Sequence, residues 1–457
     1  MNLKPIELDL LIKNAKIVTM DDDKTVIENG VLGISNGQIV ILEEHIPGKV
    51  YQTREVLDAR NRVIFPGLIN THSHFFQIML KGMGADLPLL DWAMEVPVPF
   101  GPKITPEIDY YAAKLAVLES LRSGCTTVTD FMYAHAYNNV GDAVIKAMSE
   151  GGIRGVFIRN FHDCGKEFGL PDSFIEPYEK VFSDVERLKR EYADKSDDLI
   201  RVWTGPSVTW GISNEGLKRT VEFSNSNGIP YSTHINETDS DNDSTLNRYG
   251  KKTIDLMEET GFLSPRLLAV HCVKMSPDEI RRMAKYDVKI SYNAVSNMYL
   301  GSGVAPIVEF LKAGATISLG TDGAASNNSM DMIETLKISA LLQKVKHENP
   351  GIISANDVVR MATIDGAKSL HWDEKIGSLE IGKQADLFIF NPNDPKSVPM
   401  HDPVATLVYS SSINNVETTI VNGKILFHQG EFKNGIDEEK FISEFKDNVN
   451  KFIKKSN

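Results

Sequence analysis

The sequence is poor in cysteine, in cationic excess and in long apolar runs, and each shortage closes off a class of function. Its three cysteines, Cys125, Cys164 and Cys272, stand far apart with no CxxC pair, which argues against a disulfide framework and against a thiolate zinc site. Lys and Arg number 49 against 62 Asp and Glu, a formal charge of −13. That is the wrong sign for a chain that tracks a phosphate backbone or an anionic membrane, so neither is an expected partner. No apolar run is long enough to span a bilayer, and MNLKPIELDL has no basic stretch leading into an apolar one. The expectation is a cytoplasmic protein without a membrane segment, one that handles small molecules. With 42% hydrophobic and 24% charged residues over 457 positions, the chain has an ordinary globular balance, long enough for one large domain and one small one.

Period-two alternation marks both ends of the chain. LDLLIKNAKIV and VLGISNGQIVIL alternate near the start, with Asn36-Gly37 as a hairpin signal, and VETTIVNGKILFHQG repeats the pattern near the end, with Asn422-Gly423. Residues 1–61 and 376–435 are therefore expected to form one composite β-sandwich, which requires the long middle to fold between them. That middle, residues 62–375, alternates short apolar strands with amphipathic helices. Eight strands are legible: VIFPGLINTH, TTVTDFMYA, RGVFIRNF, IRVWTGPSV, IPYSTHINE, LLAVHCV, VKISYNAV and TISLGTD. The pattern predicts an α/β fold, a (β/α)8 TIM barrel with its site at the C-terminal ends of the strands. Residues 436–457 read as a surface helix with a basic end.

Reactive side chains gather at those strand ends. His72 and His74 close the first strand with one residue between them, so strand alternation turns both imidazoles to one face as a metal clamp. His234, His271 and Asp322 end the fifth, sixth and eighth strands. One histidine alone is more often structural than a ligand, but their coincidence at strand termini is not what structural histidines do. Glu237, three residues after His234, has the type and place of a base that takes a proton from water and returns it to a leaving group.

On these residues the chain resembles the amidohydrolase superfamily, in its branch of aminohydrolases acting on N-heterocycles. The pieces that carry the likeness are PGLINTHSH at 66–74, THINE at 233–237, AVHCV at 269–273, GTDGAASNNSMDM at 320–332 and GSLEIGKQADLFIF at 377–390. The resemblance implies one divalent metal, zinc before iron or manganese, held by His72, His74, His234 and Asp322. It implies Glu237 as proton shuttle, with His271 and Asp322 as further catalytic groups that orient the nucleophile, and an assembly of identical subunits. The fourth strand end, TGPSVTWGIS, lacks the lysine that dinuclear relatives carboxylate, so a single metal is expected.

GTDGAASNN, LPLLDW at 87–92 and the helix EIDYYAAKLAVLESLRSG are similar to methylthioadenosine and S-adenosylhomocysteine deaminases. Those enzymes hold the ribose with a glutamate where this chain has Gly101, and carry a histidine where it has Ser207. Gln77, in HSHFFQ, instead resembles the glutamine of triazine hydrolases and oxopurine deaminases that faces the heterocycle. Expected substrate contacts are Gln77, Trp92, Arg159 and His271, with Arg159 equally explained by an internal ion pair. Trp92, His135, His162 and Trp210 are expected in loops over the mouth, and Cys272 is expected to turn into the helix layer. The reaction implied is removal of a ring amino group as ammonia from a free oxopurine, pterin, pyrimidine or triazine. The rival readings are a methylthioadenosine or adenosylhomocysteine deaminase, a triazine chlorohydrolase or alkylaminohydrolase, and a scaffold without catalysis.

Overall fold

The computed structural model describes residues 7–456. The readings above for residues 1–6 and 457, as part of the first β segment and of the last helix, lie outside the described residues. Among the described residues seventeen strands form two sheets. The terminal sheet contains β1 (Leu8–Val18), β2 (Val26–Ser35), β3 (Gln38–Glu44), β4 (Thr53–Asp58) and β5 (Val63–Pro66), completed by β14 (Leu387–Phe390), β15 (Val416–Val421), β16 (Lys424–His428) and β17 (Glu431–Phe432). The barrel contains β6 (Leu68–Asn70), β7 (Cys125–Met132), β8 (Arg154–Phe161), β9 (Ile200–Pro206), β10 (Tyr231–Ile235), β11 (Leu267–His271), β12 (Lys289–Tyr292) and β13 (Ile317–Leu319), all parallel and in sequence order.

The two chain ends meet where β14 pairs antiparallel with β5, in the register Leu387 to Pro66 and Phe390 to Val63. Alternation then divides the side chains. Leu387, Ile389 and Ile64 enter the core of the terminal sheet, while Phe388, Phe390 and Phe65 enter the barrel-side core. Both Asn-Gly hairpins form, and they touch: a Cβ on Gly37 would lie 2.6 Å from Asn422 Oδ1, and one on Gly423 would lie 2.8 Å from Gly37 Cα. Glycine is needed twice over at these turns, for positive φ and for close approach.

The first expected strand, VIFPGLINTH, is two strands. Val63–Pro66 joins the terminal sheet and Leu68–Asn70 the barrel, with the break at Pro66-Gly67, where proline has no N–H to give and a Cβ on Gly67 would sit 2.0 Å from Thr126 Oγ1. The barrel closes between its first and last strands. Thr71 N donates to Leu319 O at 3.0 Å and Asp322 N to His72 O at 3.0 Å. Crossover helices start where short polar residues cap them: Thr105 for Pro106–Arg122, and Ser276, paired with Glu279 in a capping box, for Pro277–Lys285.

The C-terminal helix, Glu438–Ser456, differs from the bare surface element expected for it. Phe441 and Phe452 are buried, and Glu438 pairs with Arg122 through both carboxylate oxygens at 2.6 and 2.7 Å. Phe441, Phe445, Phe452 and Ile453 recur at helical spacing, which supplies an apolar stripe for docking on the barrel. Among the described residues no helix is long and apolar enough to cross a membrane.

Candidate active site

Four strand ends converge at the C-terminal mouth of the barrel. His72 and His74 lie in the extended tail just past β6, and the 3-10 helix Phe75–Leu80 follows them. Their rings sit 4.8 Å apart, centroid to centroid, nearly perpendicular, with His234 5.0 Å from His72 and 5.4 Å from His74. Asp322 Oδ1 is 3.3 Å from Nε2 of both His72 and His74. Beside this group, His271 Nε2 is 3.3 Å from Glu237 Oε2 and 3.9 Å from Asp322 Oδ2.

The outer ring nitrogens decide what the inner ones can do. His74 Nδ1 faces Phe131 O at 2.6 Å and His234 Nδ1 faces Ser207 O at 2.8 Å. A carbonyl only accepts, so each Nδ1 carries the proton, and in the neutral ring Nε2 turns a lone pair inward. The lone pair of His74 Nε2 thus points at a carboxylate oxygen, a repulsive contact that a cation between them would convert into coordination. His72 Nε2 is buried with no hydrogen-bond partner at all. Burial pushes the His72 pKa down to about 4 and that of His234 well below the ordinary imidazole value, which keeps both rings uncharged, as ligands must be. Two sets of ligand atoms close enough to share a divalent ion overlap at His72: His72, His74 and Asp322, and His72, His234 and His271.

His271 is wired the other way. Its Nδ1 receives the Asn297 amide at 3.0 Å, which leaves the proton on Nε2, directed at Glu237 and Asp322. It is therefore a donor towards the cavity, and burial pushes its pKa to about 3. Glu237 Oε1 accepts from Ser302 at 2.9 Å and from Asn297 at 3.5 Å. Burial, then the nearby charges of Asp322 and Asp241, raise the Glu237 pKa well above the ordinary carboxyl value, the shift expected of a group that must both take and give a proton. Ser296 Oγ donates to Asp322 Oδ2 at 2.6 Å and Gly323 N to Asp322 Oδ1 at 2.7 Å.

Backbone strain clusters here. Asn236, His271, Cys272 and Asp322 all have positive φ, between 46° and 70°, a conformation uncommon outside glycine. Hydrogen bonds from Cys272 N to Ile235 O at 3.0 Å and from Lys274 N to Asn236 O at 2.9 Å hold the turns. Cys272 is fully buried as expected, but regular alternation does not place it, because the strand ends at His271.

The cavity above this floor holds about 880 Å³, part of it open to solvent, and among the described residues no lysine or arginine lines it. Its outer wall is apolar, built from the helix Leu89–Glu95, from Pro97 and Val98, and from Leu170 and Phe174. Gln77 reaches it with Nε2 on Tyr133 Oη at 3.1 Å, while Oε1 is buried without a partner. Trp92 lines it from a helix rather than a loop, its Nε1 on Ala325 O at 3.2 Å. His162 and Trp210 line it as well, Trp210 held by Asp241 at 3.2 Å. His135 and Arg159 do not. His135 bonds Met132 O, and the Arg159 guanidinium is held by Glu176 at 2.8 Å and Asp184 at 3.1 Å behind the wall.

Over residues 63–426 the chain matches the Amidohydrolase family. It belongs to that family. The amidohydrolase is 35% identical over 438 residues to the 5'-deoxyadenosine deaminase of Methanosarcina barkeri, covering 95% of this chain and 96% of that one. It is 32% identical over 435 residues to the 5-methylthioadenosine/S-adenosylhomocysteine deaminase of Thermoanaerobacter pseudethanolicus, covering 95% and 97%. Its fold superposes on a zinc-bound adenosine deaminase from Xanthomonas campestris with a TM-score of 0.90 at 25% identity, covering 98% of this chain and 100% of that one. It also superposes on the zinc complex of atrazine chlorohydrolase from Arthrobacter aurescens with a TM-score of 0.90 at 26% identity, covering 96% and 100%. The amidohydrolase is a hydrolase of carbon–nitrogen bonds, a deaminase of aminated heterocycles with a divalent-metal centre, for which zinc is the ion in those two structures.

Sequence reasoning missed Tyr133, Phe174, Asp241, Ser296, Asn297 and Ser302. Asp241 had a usable signal, since a polar Thr238-to-Asp241 spacing marks a helix start just past Glu237. Ser296 and Asn297 reach the amidohydrolase site from the short helix Ala294–Tyr299, Phe174 from the 3-10 turn Asp172–Phe174, and Tyr133 and Ser302 from outside helix and strand, and spacing carries no trace of that.

Proposed function

We propose that the amidohydrolase removes an amino group, as ammonia, from a free aminated N-heterocycle of the oxopurine, pterin, pyrimidine or triazine kind. The observation that carries this reading is the wall at Gly101. A Cβ there would lie 2.3 Å from Phe174 Cζ, so an aromatic ring fills the space in which the resembling nucleoside deaminases direct a ribose-holding glutamate. Ser207 stands where they have a histidine. A cavity without those polar partners forgoes the discrimination that paired hydroxyls supply. Gln77 offers an unpartnered buried acceptor, complementary to a ring N–H.

In this reading His72, His74, His234 and Asp322 would hold a divalent ion, which would supply Lewis acidity to a water near neutral pH. Glu237 takes a proton from that water and delivers it to a ring nitrogen, which makes the amine-bearing carbon electrophilic. Oxygen attacks that carbon, and His271 Nε2–H hydrogen-bonds the growing charge. The carbon–nitrogen bond then breaks with a proton passed through Glu237, so heterocycle amine and water become the oxo-heterocycle and ammonia.

A second reading, a nucleoside with an uncharged 5' group, draws on the names of the full-length relatives and on the apolar mouth. The same lack of a lining cation disfavours adenosylhomocysteine, whose carboxylate would stand unpaired. The deciding experiment is ammonia release by zinc-loaded enzyme, comparing kcat/KM for free bases, 5'-deoxyadenosine and methylthioadenosine. A hundredfold preference for a nucleoside would overturn the free-base reading.

A further inference from the structure

Gly101 has φ −48° and ψ −48°, a conformation open to every residue, so its being glycine is not a requirement of the backbone. What requires it is the ring tip of Phe174, which rests on the Gly101 backbone. Phe174 in turn lies parallel to His162, with centroids 6.2 Å apart and 10° between planes, and edge-on to Tyr133 at 6.0 Å. All three line the cavity.

The other side of this seat is held from the far end of the chain. Gly101 follows Phe100, which closes the short helix Pro97–Phe100, and the Phe100 ring packs on Phe452 of the C-terminal helix with centroids 5.8 Å apart. That helix is fixed at its own start by Glu438 on Arg122 and by Phe441 stacked on Tyr111 at 6.1 Å. A line of contacts thus runs from the Phe452 ring to the Phe100 ring, through the Gly101 backbone, and on to the Phe174 ring in the cavity lining. Close-packed aromatics transmit displacement because they leave no void to absorb it.

We infer that the C-terminal helix is a strut for the substrate wall, with Phe452 and Phe100 as positioning residues that set where Phe174 stands and therefore which rings the cavity admits. The inference rests on the proposed reading of this cavity as the substrate site. The floor touches this line at Tyr133, whose ring is 5.2 Å from that of His74, but its groups are anchored elsewhere, at strand ends, on the helix Ala294–Tyr299 that carries Ser296 and Asn297, and at Ser302 beyond it. Loosening the strut should act on substrate fit and leave metal retention alone.

The test uses full-length zinc-loaded enzyme and three variants: Phe452→Ala, Gly101→Ala and Gly101→Ala with Phe174→Ala. In Phe452→Ala, amide hydrogen exchange should quicken several-fold across residues 97–103 and 170–176, with strand 267–271 and zinc stoichiometry unchanged. Gly101→Ala should raise KM about tenfold with a smaller effect on kcat, and removing the Phe174 ring in the same chain should cancel most of that rise, since contacting residues are non-additive. Faster exchange confined to residues 438–456, or additive effects of the two wall substitutions, would overturn the strut. If no heterocycle or nucleoside releases ammonia, the proposed function fails, and the exchange result alone still decides for or against the strut.

Discussion

The two ends of the barrel use the same side-chain types to opposite purposes. At the N-terminal end, Arg154 at the start of β8 is buried against Asp386 of the terminal sheet, at 2.7 and 3.3 Å, and Asp386 also accepts from Asn422 N at 2.7 Å. Nearby, Asp198 is paired with Arg201 at 2.8 Å and Lys375 at 2.6 Å. Here each of these carboxylates faces donors. At the C-terminal end, lone pairs face lone pairs, His72 Nε2 and Gln77 Oε1 have no partner, and the backbone takes up left-handed turns. One end spends polar groups on holding the sheet to the barrel, while the other keeps them unsatisfied for a metal and a substrate, the division of labour expected of this architecture.

Breaking the mouth should cost function and little stability. His72→Ala should abolish both bound zinc and turnover, as read by metal analysis and ammonia release; an active, zinc-replete variant would remove His72 from the centre. Glu237→Gln should keep the ion and the fold but lose about 10²-fold or more in kcat, the range of a general acid–base group. Full activity there would take Glu237 out of the reaction.

Breaking the base should do the reverse. Asp386→Ala leaves a buried guanidinium without its partner and should cost about 3–5 kcal/mol, seen as a lower denaturant midpoint with unchanged zinc content. A stability loss no larger than that of an exposed pair would show that water reaches Arg154. The smallest effect concerns pH. Burial works to raise Asp198, yet Arg201 and Lys375 bring it down to about 2. Its folded pKa lies below the unfolded value, so its contribution is present above about pH 4 and is lost as pH falls towards 2. Asp198→Asn should therefore lower Tm modestly at neutral pH, by about 1 kcal/mol of stability, and the gap to the parent should close through that acid window. A gap that persists unchanged at pH 2 would mean the pairing is not electrostatic.

This contrast was only half visible in the chain. The histidines, Glu237 and Asp322 were legible because they stand at or just past strand ends, and period-two and helical patterns locate strand ends. Both Asn-Gly hairpins were legible because that dipeptide relieves a steric conflict within its own four residues. The left-handed turns at Asn236, His271, Cys272 and Asp322 were not, since no glycine marks them and the strain is borne by distant hydrogen bonds. Arg159 offered two explanations from sequence, and only the positions of Glu176 and Asp184 separate them. The docking of the last helix had a signal, its spaced phenylalanines, that its basic end outweighed.

The pairing of β5 with β14 also has a consequence for biosynthesis. A ribosome that has made everything up to residue 386 has released all eight barrel strands, but β5, which has β1 on one side, still lacks the neighbour on its other side in the finished sheet. Until residues 387–390 emerge, that strand offers open hydrogen-bonding groups to any other unfinished chain, and Phe65 lacks the stacking cover of Phe388. A nascent chain stalled or clipped before that point would be sticky rather than merely inactive, and sequence distance between partners makes this stage a slow one. Joining residues 63–66 to residues 387–390 in one sheet thus works as a check on the barrel between them: the amidohydrolase loses this open edge only once every barrel strand has been made.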